Sequence, residues 1–207
     1  MARGLRLNPW LALAAVLAAG SAVAWPLAPD ALDWQGLHAG ASSVWRAFTG
    51  AFVHWTPRHL AANLAGCGVV AWLGWAARLP ARSALAWAIA WPLTQASLLT
   101  RPEIAAFGGL SGVLHAGVAV AAVELLARRG AAHRREQAIG ALILLGLAVK
   151  IAHESPLGPA LQDVPGWDMP VVPLAHLGGA LAGVACALAL RALRALGPRR
   201  VDPDPAA

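Results

Sequence analysis

Residues 109–127 read GLSGVLHAGVAVAAVELLA. Only Ser111, His115 and Glu124 interrupt a run of apolar and small residues, and its length approaches the roughly 20 residues that a helix needs to cross a hydrocarbon layer. The run lacks the two-residue alternation of a barrel strand, so its backbone groups must be satisfied within a helix. Further runs of this kind lie at 10–27, 58–77, 84–100, 137–153 and 172–196. The expected fold is all-α: a polytopic membrane protein built as a bundle of six transmembrane helices.

Composition agrees. Of 207 residues, 58% are hydrophobic and 13% charged, against roughly one-quarter charged in a soluble domain, so water is not the main solvent. A net charge of +6 and a pI near 11.2 would suit a nucleic-acid partner, but the cations sit at the ends of spans. Arg3 and Arg6 precede the first span, Arg78 and Arg82 join the second and third, Arg128, Arg129, Arg134 and Arg135 join the fourth and fifth, and Arg191, Arg194, Arg199 and Arg200 close the chain. These are alternate loops, which by the positive-inside rule puts both termini in the cytoplasm. The partner implied is a lipid bilayer, with no nucleic acid.

The chain reads as one domain over 1–197, with a Pro/Asp/Arg-rich cytoplasmic tail over 198–207 expected to be disordered. Arg3 to Arg6, the following Ala/Leu run and Ala22-Val23-Ala24 would also pass for a secretory signal with its cleavage site, although the apolar stretch continues through Leu27. Trp10, Trp25, Trp75 and Trp91 fall near span ends, where an indole suits the headgroup layer. Cys67 and Cys186 lie inside spans and read as small packing residues rather than a disulfide.

Polar side chains inside a bilayer are costly, so each is a functional candidate until a structural role explains it. They are His59, Asn63, Gln95, Ser111, His115, Glu124, Lys150, His153 and His176. Spans two, four and six all run from outside to inside, so residues near their starts share one depth. His59 and Asn63, Ser111, and His176 then converge on a layer just below the outer surface. A hydroxyl, two imidazoles and a carboxamide are the parts of acyl transfer: nucleophile, base and oxyanion donors. A lone membrane serine usually packs or bonds back to a carbonyl, and His59 and Asn63 could serve interhelical hydrogen bonding alone. The setting Gly108-Gly109-Leu110-Ser111-Gly112 is less ordinary, because glycines there allow backbone or substrate to approach and a helix N-terminus offers free N–H groups.

These residues resemble the rhomboid protease family. Gly109-Leu110-Ser111-Gly112 is similar to its GxSG nucleophile motif, and Ala175-His176-Leu177-Gly178-Gly179 with Gly183 to its catalytic-histidine helix. Trp45-Arg46, Thr49, Phe52, His54, His59 and Asn63 resemble its first outer loop and the His-x-x-x-Asn start of its second helix. The resemblance implies Ser111 as nucleophile and His176 as general base, a dyad without an Asp, needing no cofactor or metal. It implies an oxyanion site of the Ser111 N–H with His59 and Asn63, small residues Gly109 and Gly112 beside the nucleophile, and a structural His54 bracing the loop.

His115 departs from the usual pattern, in which an aromatic ring four residues after the serine stacks on the catalytic histidine; an imidazole there could also compete as base. With Lys150 four residues before Glu154, spaced for an ion pair, it makes the chain look most like the rhombosortase branch. That branch implies membrane-anchored substrates carrying a C-terminal Gly-Gly-containing sorting tail, cleaved from the periplasmic face of a bacterial inner membrane. A general rhomboid protease and a non-catalytic rhomboid-like scaffold are the alternatives. A transporter or channel fits less well, because the polar residues gather at one end rather than along a pathway.

Overall fold

The computed structural model describes residues 8–35 and 44–196. Arg3, Arg6, Arg199, Arg200 and the tail over 198–207 lie outside the described residues. Regular structure among those described is helical, with two isolated β-bridges. The long helices are α1 (Pro9–Ala24), α2 (Pro57–Ala76), α3 (Ala81–Ala96), α4 (Ser111–Leu126), α5 (Arg134–His153) and α6 (Pro173–Leu196). Each falls on one of the expected apolar runs. Three stretches, Pro57–Ala76, Ala131–His153 and Pro173–Leu196, are long and apolar enough to cross a membrane, while Pro9–Ala24 and Ser111–Leu126 are shorter apolar helices.

Helix starts follow from local chemistry. Asn8 Oδ1 accepts from the Trp10 N–H at 3.0 Å and Thr56 Oγ1 from the His59 N–H at 3.1 Å, each followed by proline at the first helical position. Proline also opens α6. The run expected to extend to 100 ends its α-helix at Ala96, and residues 97–100 tighten into a 3-10 turn.

The central α4 is buried along most of its length and packs chiefly against α6, with α5, α3 and α2 around it. Its small residues set the spacing. A Cβ on Gly179 would strike the Gly112 carbonyl, and one on Gly183 the Ala116 carbonyl, so α4 and α6 meet backbone to backbone. Gly112 completes the seam, since a Cβ there would sit 2.7 Å from the Ala175 carbonyl.

The first apolar segment is bound into the core. Trp10 donates from Nε1 to the Val70 carbonyl at 2.8 Å, and its ring lies 4.6 Å from that of Trp87, which donates to the Val113 carbonyl at 2.7 Å. Trp10 and Trp91 are thus core residues, not the headgroup anchors expected; burying two large rings in protein outweighs an interfacial seat. Trp25 and Trp75 are exposed. Cys67 and Cys186 are free and buried.

Glu124 also finds a structural explanation. Only 4% exposed, it accepts from Arg82 Nη2 at 2.8 Å and Arg191 Nη1 at 2.9 Å, tying α3, α4 and α6 together at the end opposite the serine. Gln95 is fully buried with neither side-chain polar atom paired, and nothing in the fold explains it.

If the α4–α6 seam sets the bundle, Gly183→Leu should lower stability in detergent by about 2 kcal/mol or more through overpacking. Gly146→Ala, where an added Cβ meets nothing within 4 Å, should change it by less than about 0.5 kcal/mol or raise it slightly. Denaturation curves of the two variants beside the parent check this.

Candidate active site

The serine is positioned by what precedes it. Trp34 and Phe107 exchange backbone hydrogen bonds of 2.8 and 2.7 Å, and the Gly109 N–H donates to the Gly50 carbonyl at 3.0 Å. The loop between α1 and α2 is in turn held by Arg46, which pairs with Asp33 at 2.9 Å, and by Thr49, which donates to the Leu32 carbonyl at 2.8 Å. Gly109 has φ of +129°, a conformation that side chains disfavour, and a Cβ there would lie 2.8 Å from the His59 ring. The chain can therefore turn sharply into α4 only with glycine at this place. Ser111 opens α4 with no side-chain cap before it, so the first N–H groups of the helix have no intrahelical acceptor.

Ser111 Oγ lies 3.0 Å from His176 Nε2, one turn into α6. The other ring nitrogen, Nδ1, lies 2.8 Å from Glu154 Oε2, and Glu154 Oε1 lies 2.5 Å from Lys150 Nζ. The resemblance implies a dyad without an Asp; in the structure a glutamate faces the second ring nitrogen. Glu154 sits at the C-cap of α5, and the antiparallel α5–α6 connection returns it to the layer where α6 begins. The spacing of Lys150 and Glu154 predicts their pairing; that the second carboxylate oxygen faces His176 follows from how α5 packs beside α6.

His115 stacks on His176, ring centroids 4.2 Å apart and 12° from parallel. Its Nδ1–H donates to the Ser111 carbonyl at 2.7 Å, so the imidazole occupies the stacking place of an aromatic ring while the serine hydroxyl bonds to His176. His59 and Asn63 face the same cavity from α2. His59 Nδ1 is buried without a partner, and Asn63 Nδ2 donates one N–H to His54 Nε2 at 3.0 Å, leaving the other free of that bond. His54 Nδ1–H donates to the Phe52 carbonyl at 3.0 Å, which fixes its neutral tautomer. His54 thus braces Asn63 as well as the loop.

The cavity, of about 710 Å³, is bounded on one side by Ser111, His176, His59 and Asn63 and roofed by the α5–α6 connection, with Trp167 and Met169 over it. Thr56 Oγ1 donates to Asp168 at 3.0 Å, and Gln162 pairs with Val171, holding the roof. His153 lines the cavity but is exposed. Burial works to raise the Glu154 pKa, yet the hydrogen bonds and positive charge of His176 and Lys150 prevail and hold it at about 2. It is an anion at neutral pH.

An apolar helical bundle that gathers these polar groups at one end, around a largely apolar cavity, has the character of a membrane protein. A family model described as Rhomboid domain matches residues 41–193, more than half of the chain, and the protein belongs to the rhomboid family, whose members are intramembrane serine proteases. A search of curated proteins finds no match.

Burial pushes the His54 pKa below its ordinary 6.5. A depressed imidazole favours the folded state while neutral, so its contribution is present above about 6.5 and declines as pH falls and the unfolded chain binds the proton. The thermal midpoint in detergent should drop between pH 7 and 5, and His54→Gln should flatten that drop.

Proposed function

We propose that the protein is an intramembrane serine endopeptidase in which Ser111 attacks and His176 is the general base. The 3.0 Å hydrogen bond between Ser111 Oγ and His176 Nε2, both of which line the cavity, carries this reading. His176 Nε2 takes the hydroxyl proton as Oγ bonds to the scissile carbonyl carbon, and the carbonyl electron pair moves onto oxygen. That oxyanion is met by the Ser111 N–H and by His59 and Asn63. On collapse the C–N bond breaks and the amine leaves with the proton from His176. Water, deprotonated by the same nitrogen, then hydrolyses the ester and restores Ser111.

The membrane arrangement proposed is six spans with both termini cytoplasmic, in the inner membrane of a bacterium, with the cavity open to the periplasmic face. Alternating arginine-rich loops and the six apolar helices support it. A substrate must then present its bond at the outer end of its own membrane helix, where glycines let the backbone unwind. A rhombosortase-like specificity for a C-terminal Gly-Gly tail ahead of an apolar helix and a basic end meets that need. The Lys150–Glu154 pair and His115 support this branch, and cleavage would release the attached domain outward.

A fluorophosphonate should label the parent and leave Ser111→Ala unlabelled. Asn63→Ala should lower kcat by about 10²–10³ with little change in KM; a rise in KM at unchanged kcat would remove Asn63 from the oxyanion site. A co-expressed reporter with a Gly-Gly tail should be released by the parent only, and less when Leu-Leu replaces Gly-Gly. Equal release from both tails leaves a general rhomboid protease.

A further inference from the structure

Three charges or potential charges lie in a row behind the serine: Lys150 Nζ 2.5 Å from Glu154 Oε1, Glu154 Oε2 2.8 Å from His176 Nδ1, and His176 Nε2 3.0 Å from Ser111 Oγ. The two carboxylate oxygens are divided between lysine and histidine. One turn of helix separates Lys150 from Glu154, so the lysine fixes the carboxylate rotamer from its own helix, and the carboxylate fixes the imidazole on the next. The His115 stack lies against one face of the His176 ring, and the hydrogen bonds at Nδ1 and Nε2 fix where its two nitrogens point.

We propose that Glu154 is a positioning residue for the serine reaction, aiming His176 and stabilising its protonated form, and that Lys150 tunes it by pinning the carboxylate and offsetting its charge. This rests on the serine-protease reading above. In each acyl-transfer step the proton stays between Ser111 Oγ, His176 Nε2 and the leaving amine or water. Glu154 accepts the Nδ1–H hydrogen bond throughout and gains no proton. Its anion favours the imidazolium that forms as Oγ attacks, while the Lys150 ammonium opposes it.

The other polar and ionisable groups facing His176 are His115 and Ser111 from α4, His153 from α5 and His59 from α2, and Asp168 approaches through the roof. None of these is bonded to Nδ1 of His176, whose N–H is taken by Glu154. The two charged neighbours on α5 therefore act on one imidazole with opposite sign. A merely structural role for either would not produce that pattern.

The pH dependence of fluorophosphonate labelling of full-length protein in detergent reads the base directly. Glu154→Gln keeps shape and hydrogen-bond acceptor but removes the charge, so its acid limb should move to lower pH by on the order of one unit, with a slower plateau rate. Lys150→Met should move the limb the opposite way. Glu154→Ala should lose about 10²-fold in rate by unpinning the ring as well, and Glu154→Asp should recover part of it. Thermal midpoints confirm that each variant is folded. Limbs that stay put, or move together, in Glu154→Gln and Lys150→Met overturn the proposal while leaving Ser111 as nucleophile. A parent that labels no faster than Ser111→Ala sinks the protease reading and this inference with it.

Discussion

The meeting of α4 and α6 without intervening side chains is the constraint on which the site depends. Gly112 lies against Ala175 and Gly179, and Ala116 against Gly183, so the two backbones approach as closely as van der Waals radii allow. In an apolar solvent there is little hydrophobic drive between helices, and such contact is a main source of their cohesion. It also sets the separation of Ser111 and His176, because each adjoins a seam residue, Gly112 on α4 and Ala175 on α6. A larger side chain would part the helices and the hydrogen bond together.

A second set of contacts fixes the direction of approach. The loop between α1 and α2 is clamped by Arg46 and Asp33, paired with the pre-serine segment through Trp34 and Phe107, and held again where the Gly109 N–H meets Gly50. His54 extends the clamp to α2 by bonding Asn63. His59, Asn63 and Ser111 are thus referred to one frame although they come from segments far apart in sequence.

Much of this was legible in the sequence for a physical reason. Helices in a bilayer leave an unmistakable apolar length, and polar residues within it are too costly to be accidental, so six helices and the layer of Ser111, His176, His59 and Asn63 could be read directly. Trp10 was misread as interfacial because a tryptophan near a span end looks the same whether it meets lipid headgroups or the Val70 carbonyl. Glu124 stands out in an apolar run, but the two arginines that neutralise it come from α3 and α6, 42 and 67 residues away in sequence, which the local pattern does not join. Glu154 was paired with Lys150 from helical spacing alone. Its bond to His176 depends on how α5 leans toward α6, which periodicity does not encode.

That lean leaves α5 unevenly packed. Near its inner end Gly140 is wedged against the backbone of α4 at Ala122 and Leu126, whereas outward of it only Ile151 is buried. Apolar grooves flank the outer half, about 620 Å³ toward α6 and about 440 Å³ toward α2. Ser111 and His176 are therefore placed by one contact, the glycine seam, while Lys150 and Glu154 are placed by another, the seat of α5 together with the loop that Arg101 holds through the Leu157 and Gly158 carbonyls, so the imidazole and the anion behind it answer to separate parts of the bundle.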